Sequence, residues 1–247
     1  MFAATAATVG PWDPKLQHGG PVAALLGTRI ELAAARSDMR VSQFALEFLG
    51  PAPVAPMQVS TSLVRPGKKI ALWSGSASIE GRPCVHASAW LLHFEKAKNA
   101  ASHENDPPPP LPETATSTYF ESVPRFGYGD ALEWRFAEGS FVEMGPAAVW
   151  SRLRVAIVSG EDVSPLARVL AMVDSANGIS AELDVRSYLF VPVNLTVTLA
   201  RYPIGEWVGM RAVTSLVEDG IGVTRARLFD ERGSIGWALQ SLYVDKR

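Results

Sequence analysis

Two polar side chains stand in runs that are otherwise apolar. Asp174 ends the run Val169-Leu170-Ala171-Met172-Val173, and Gln240 lies among Ala238, Leu239 and Leu242. A carboxylate in such a run is held by hydrogen bonds or raised in pKa, and either state suits a proton acceptor. A buried amide must be hydrogen-bonded, and fixing a water is one way to achieve it. A base with an oriented water is hydrolytic chemistry that needs no metal. The plainer alternatives are that Asp174 braces the turn at 175–178 and that Gln240 points to solvent. A third feature is Gln17-His18-Gly19-Gly20 at the start of a helix candidate. Its glycines let a ligand approach the backbone, and its N–H groups suit an oxyanion or phosphate. The alternative is a tight loop with His18 as its brace.

Other chemistries find less support. Cys84 sits in an apolar, strand-like run and reads as a buried structural thiol. His86 and His93 have no clustered carboxylates, so no metal centre is expected. There is no Gly-x-Ser-x-Gly elbow, and the glycines at 127–129 and 220–222 read as turns. The 247 residues are 47% hydrophobic and 19% charged with a net charge of -2, an ordinary globular balance. Nothing in it attracts nucleic acid. The apolar stretch at 21–26 is too short to span a bilayer, and the first residues lack a signal-peptide pattern. A single cysteine excludes an internal disulfide, and a soluble cytoplasmic protein is expected.

The elements that must position these residues come in two sets. Residues 98–117 contain Pro107 to Pro110, have no apolar period, and read as an exposed, extended linker. The first half has a helix candidate at 20–36 and strand candidates at 41–49, 57–64, 70–79 and 83–94. The second half has strand candidates at 131–137 and 147–158, a helix from 165 to about 176 with Ser164 as N-cap, then strands at 188–200, 207–217, 222–230 and 234–244. Val59-Ser60-Thr61-Ser62-Leu63-Val64 resembles Ala212-Val213-Thr214-Ser215-Leu216-Val217. A shift of about 151 residues also pairs Ala87-Ser88-Ala89 with Ala238-Leu239-Gln240, as a duplicated unit would. On that repeat Asp174 falls opposite about Ile30 and Gln240 opposite Ala89, so one half alone keeps the polar set. Each unit is expected to lay a helix on the concave face of an antiparallel sheet, and the two can pair edge to edge. The expected fold is α+β, a double hotdog of two antiparallel sheets each wrapped around a long helix. Its units are 1–97 and 118–247.

Several segments, in order, resemble the TesB-like acyl-CoA thioesterases. They include Gln17-His18-Gly19-Gly20-Pro21, Asp174-Ser175-Ala176-Asn177-Gly178, Asn194-Leu195-Thr196-Val197, Gly205-Glu206-Trp207 and Gly236-Trp237-Ala238-Leu239-Gln240. The resemblance implies hydrolysis of acyl-CoA to free acid and CoA without a cofactor. It implies catalytic roles for Asp174 and Gln240, which are expected to hold the attacking water together, and a hydroxyl residue between them in the chain. That hydroxyl falls at Pro192 or Val193, which carry none, so Thr196 and Asn194 are its nearest candidates. A family His falls near Ala45. His18, Gly19 and Gly20 are the candidate substrate-binding residues, acyl-CoA the expected partner, and a homo-oligomer is left open. A hydratase or dehydratase and a non-catalytic acyl-CoA or lipid-binding protein stand as alternatives. The former needs an Asp–His pair, and the second half lacks histidine.

Overall fold

The computed structural model describes residues 1–95, 107–116 and 124–247. Helix α1 (Gly19–Ala34) is followed by β1 (Met39–Phe48), β2 (Met57–Arg65), β3 (Ile70–Ile79) and β4 (Arg82–His93). The second half opens with the single turn α2 (Gly127–Ala131), then β5 (Leu132–Glu138) and β6 (Ala147–Leu153). Helices α3 (Pro165–Val173) and α4 (Ala176–Ile179) follow. The chain ends in β7 (Tyr188–Pro192), β8 (Asn194–Leu199), β9 (Val208–Val217), β10 (Ile221–Asp230) and β11 (Gly233–Lys246). The helix candidates at 20–36 and 165–176 are thus the two longest helices among the described residues, the second shorter than expected. The 147–158 candidate ends at Leu153, and the 188–200 run is cut at Val193. Pro192 still pairs with Leu242 and the Val193 N–H donates to the Ser241 carbonyl at 2.9 Å, but the residues on either side of Val193 pair with different stretches of β11.

The strands form one antiparallel sheet of 11 strands in the order β2-β3-β4-β1-β8-β11-β10-β9-β6-β5, with β7 paired to β11. This corrects the expectation of two sheets. The ladder from Gln43↔Thr198 to Glu47↔Asn194 joins β1 to β8 and fuses the halves. Left apart, each would present a row of unpaired backbone groups. The repeat is visible in register: Ala87 faces Leu46 as Ala238 faces Val197, and Ser88 faces Ala45 as Leu239 faces Thr196. α1 lies on the first half of the sheet, α3 and α4 on the second, and α1 packs on α3. Their inner faces bury Val22, Leu26, Ile30, Leu166, Leu170 and Met172 almost completely. This is the hot dog arrangement.

Two side features follow. Arg201 pairs with both oxygens of the fully buried Asp230 and holds the β8–β9 connection. In the linker, residues 107–116 are described, and they are not wholly exposed as expected. Pro109 is buried, the Thr116 N–H donates to the Trp134 carbonyl at 2.7 Å, and Arg135 donates to the Pro112 carbonyl at 2.9 Å. Backbone groups can be anchored without any side-chain period. The unit bounds at 97 and 118 fall outside the described residues. Among the described residues no helix is long and apolar enough to cross a membrane.

Candidate active site

α3 starts where Ser164 Oγ accepts the Ala167 N–H at 3.1 Å and Pro165 takes the first position. It ends at Val173 and leaves Asp174 as its C-cap. A carboxylate is disfavoured at that end of a helix dipole, so Asp174 needs donors from elsewhere. The antiparallel packing of α1 on α3 supplies them. The start of α1, the positive end of its dipole, lies against Asp174, and the Gly19 and Gly20 N–H groups favour its charged form.

Glycine is what permits this approach. A Cβ on Gly19 would stand 2.6 Å from Asp174 Oδ2 and 2.6 Å from Phe48 Cε1. On Gly20 it would stand 2.3 Å from the Ala171 carbonyl oxygen. The N-cap of α1 is His18, whose Nδ1 accepts the Gly20 N–H at 3.1 Å and lies 3.2 Å from Asp174 Oδ2. The imidazole stacks on Tyr128, with ring centroids 3.8 Å apart and planes within 6°. Tyr128 in turn donates to the Ala171 carbonyl at 2.8 Å and meets Ser175 Oγ at 2.7 Å.

Gln240 reaches the same carboxylate from the sheet. It is 1% exposed, and its Nε2 lies 3.3 Å from both the Asp174 carbonyl oxygen and Oδ1. Its Oε1 accepts the Asn177 N–H at 3.2 Å. The ladder explains its placement. In the first half Ala89 pairs with Phe44. In the second half the β11–β8 pairing stops at Leu239 and resumes with β7 at Leu242, so Gln240 sits in the gap.

Asp174, His18 and Gly19 line a cavity of about 490 Å³, walled by Trp12, Leu16, Phe48, Val85, Leu189 and Val191. Asn177, Pro192 and Val193 also line it, whereas Gln240 and Gly20 stand behind the wall. A second cavity of about 690 Å³ lies between residues 1–8 and 153–159. No Asp, Glu, His, Lys or Arg side chain lines it, and Gln17 and Val22 border both cavities. Burial pushes the Asp174 carboxyl up to about 7, against the pull of the Gly19 N–H, the Gln240 amide and the Gly20 N–H. Burial also pushes His18 down to about 3 and the Tyr128 phenol up. The His18–Asp174 contact is therefore not an ion pair with a charged imidazole.

The structure brings together Asp174, Gln240, His18, Gly19 and Gly20, but not Thr196 or Asn194. Thr196 alternates with the buried Leu195 and Val197 and lies on the opposite face of the sheet. Asn194 Oδ1 accepts the Ser241 N–H at 2.9 Å and bridges the ladder gap. Sequence reasoning passed over Tyr128, set aside within a glycine turn, and gave no role to Asn177. The Asp–His pair was invisible because His18 comes from the other half. His86 meets Ser74 Oγ at 3.0 Å and His93 meets Asp38 at 3.4 Å. Among the described residues no three His, Cys, Asp or Glu side chains cluster as a metal site.

The mirror place is filled differently. Near the end of α1, Glu31 meets the N-cap of α3: Ser164 Oγ donates to Oε2 at 2.6 Å, and the Tyr202 hydroxyl donates to Oε1 at 2.8 Å. The repeat put Ile30 opposite Asp174, but in space the acid at that end of α1 is Glu31.

Comparison with known proteins places this architecture. A candidate thioesterase from Novosphingobium aromaticivorans superposes with a TM-score of 0.76 at 18% identity, covering 98% of this chain and 93% of its own. A hot dog protein from Alicyclobacillus acidocaldarius gives 0.71 at 16%, covering 98% and 90%. Acyl-CoA thioesterase II TesB2 from Mycobacterium marinum gives 0.66 at 14%, covering 93% and 90%. These likenesses show the fold. No curated protein sequence matches the chain. The family models for the acyl-CoA thioesterase N-terminal and C-terminal domains match residues 8–92 and 100–244. The two halves thus define a hot dog thioesterase. The chain belongs to the acyl-CoA thioesterase family and is a thioester hydrolase.

Proposed function

We propose that the chain hydrolyses acyl-CoA to free acid and CoA with Asp174 as general base. The observation that carries this reading is a buried carboxyl, raised to about 7, on the wall of an apolar cavity. Ionised Asp174 takes a proton from a water as the water oxygen attacks the thioester carbonyl carbon. The C–S bond then breaks, the CoA thiolate leaves and recovers the proton, and the acid is released. Gln240, behind the wall, holds the carboxylate in place. Asn177, on the wall, gives its Nδ2 to the Phe190 carbonyl at 3.0 Å, which leaves Oδ1 to accept from the water and orient it. The positive start of α1 faces the oxyanion. Two cavities meeting at Gln17 and Val22 give room for the two arms of the substrate.

One observation favours a second reading, a hydratase: His18 and Asp174 do form an Asp–His pair. At 3.2 Å, however, they stand on one side of any substrate instead of flanking it. A panel of saturated and 2-enoyl-CoAs separates the two. The thioesterase reading expects thiol release, lowered roughly a hundredfold or more by Asp174→Asn in a folded protein. Thiol release unchanged in Asp174→Asn removes Asp174 from the mechanism, and a loss of enoyl absorbance without thiol favours the hydratase.

A further inference from the structure

Three buried hydroxyls lie between α4 and the sheet. Ser180, the C-cap of α4, Thr214 on β9 and Thr224 on β10 are almost completely shielded from solvent. Ser180 Oγ meets Thr214 Oγ1 at 2.8 Å, and Thr214 Oγ1 meets Thr224 Oγ1 at 2.7 Å. The ladders extend this row, because Thr214 pairs with Thr224 and Thr224 with Gln240. Residues directly opposite in antiparallel strands share a face, with Cβ atoms about 5 Å apart. Polar side chains therefore run from Ser180 across β9, β10 and β11 to the Gln240 amide, whose Nε2 lies 3.3 Å from Asp174 Oδ1. In the first half the same register places Leu63, Trp73 and Ala89. Duplication alone therefore does not account for the polar row, which belongs to the half that holds Asp174.

The row has a direction. Ser180 Oγ donates its single proton to the Ala176 carbonyl at 2.8 Å. It can then only accept from Thr214, and Thr214 can only accept from Thr224. Thr224 is left with lone pairs alone for its far side, where Gln240 stands. The Asp174 carbonyl and carboxylate already require Nε2 on their side of the amide, and the Asn177 N–H holds Oε1. An amide turned over would set Oε1 against acceptors, with Thr224 among them. We propose that Thr224, held in place by Thr214 and Ser180, is a positioning residue for the hydrolysis. It fixes the orientation of the Gln240 amide, and Ser180 ties α4, which carries Asn177, to the same row. None of the three hydroxyl residues lines the 490 Å³ cavity, so the row acts on Asp174 and the water through Gln240 and Asn177 and not on the substrate. The inference rests on the reading of Asp174 as the base.

Thr224→Val tests this in the full chain, with folding checked by circular dichroism. It nearly keeps the side-chain shape and strands no donor, because Thr214 still donates to Ser180. On one acyl-CoA, kcat should fall roughly tenfold or more while KM stays within about twofold. The midpoint of the rise in kcat/KM should move to higher pH, because the Gln240 amide favours the charged form of Asp174 and is no longer fixed. Thr224→Ser, which restores the hydroxyl, should return both quantities toward wild type. Thr198→Val, the same change at an exposed position of β8, should alter neither. Amide hydrogen exchange reads the row without any substrate: the Asn177 N–H, held by Gln240 Oε1, should exchange roughly tenfold faster in Thr224→Val. Wild-type kcat and midpoint in Thr224→Val, an equal loss in Thr224→Ser, or unchanged exchange at Asn177 overturns the proposal. Thiol release that survives Asp174→Asn is a separate failure, that of the base, and the exchange rate still decides whether Thr224 fixes Gln240.

Discussion

His18 Nδ1 and Asp174 Oδ2 face each other at 3.2 Å, while the Gly20 N–H points at the same Nδ1 from 3.1 Å. A nitrogen that accepts from Gly20 carries no proton, so the neutral ring holds its proton on Nε2. That nitrogen has one lone pair, already shared with the Gly20 N–H, and the contact with Asp174 is least repulsive when the carboxyl is protonated. Burial moves both groups that way, Asp174 to about 7 and His18 to about 3. At neutral pH the pair stands at the point of releasing its proton.

The rate should follow that proton. If ionised Asp174 is the base, kcat/KM climbs as pH rises through about 7 and levels off above it. A profile measured on one acyl-CoA from acid to mildly alkaline pH, flat throughout, would contradict this. Stability has the opposite sign. The folded pKa lies above the ordinary 3.8, so folding favours the acid form. That contribution is complete below about pH 3.8 and is lost as pH rises through about 7. Asp174→Asn, neutral at every pH, should melt higher than wild type at pH about 8, by roughly 5 °C, with a smaller gap at pH about 5.

Gly19 and Gly20 should fail differently. An alanine at 19 meets the Asp174 carboxylate and the Phe48 ring, so Gly19→Ala should lower kcat by roughly a hundredfold with little loss of melting temperature. An alanine at 20 meets the backbone carbonyl of Ala171, which cannot turn aside. Gly20→Ala should therefore cost about 1–3 kcal/mol of stability by prying α1 from α3. Paired kinetic and denaturation measurements distinguish the two.

Thr196→Val should leave hydrolysis unchanged, because Thr196 faces away from the helices. Asn194→Ala removes the acceptor for the Ser241 N–H and should cost about 1–2 kcal/mol in urea unfolding. Activity per folded molecule should fall by less than about tenfold. A hundredfold loss with Thr196→Val would restore the hydroxyl to the mechanism.

Replacing Pro107–Pro110 by a Gly/Ser stretch should preserve activity within about tenfold. It should nevertheless lower the melting temperature. Pro109 is buried, and its neighbours Pro112 and Thr116 are tied to β5. An unchanged melting curve would show that the anchoring contributes nothing.

Much of this fold could be read from period and turns, because the strands alternate and the helices carry apolar stripes. Asp174 and Gln240 stood out for a related reason: a polar group in an apolar run must be answered by something. What answers it could not be read. His18 lies in the other half of the chain, and only the antiparallel packing of α1 on α3 brings it near. Thr196 looked close to the site along the strand, but strand parity turns it to the other face. The gap that admits Gln240 lies where β11 passes from its ladder with β8, ending at Leu239, to its ladder with β7, starting at Leu242, an event of pairing between strands and not of local propensity. The anchoring of the linker likewise runs through backbone carbonyls, which leave no mark on residue type.

The closed mirror place at Glu31 bears on how such a molecule can change over time. A self-associating single unit receives every substitution twice, once at each end of its symmetric helix pair. Here Ser164 and Tyr202 satisfy the Glu31 carboxylate, and Ala89 stands where the other half has Gln240. One copy has become architecture, and the other can vary its pocket without disturbing the first. On the proposed mechanism the two halves divide the work of one repeated unit, with one reacting carboxylate for each polypeptide. Equilibrium titration with a non-hydrolysable acyl-CoA analogue should accordingly saturate near one ligand per chain, where an unfused pair with two live ends would take two.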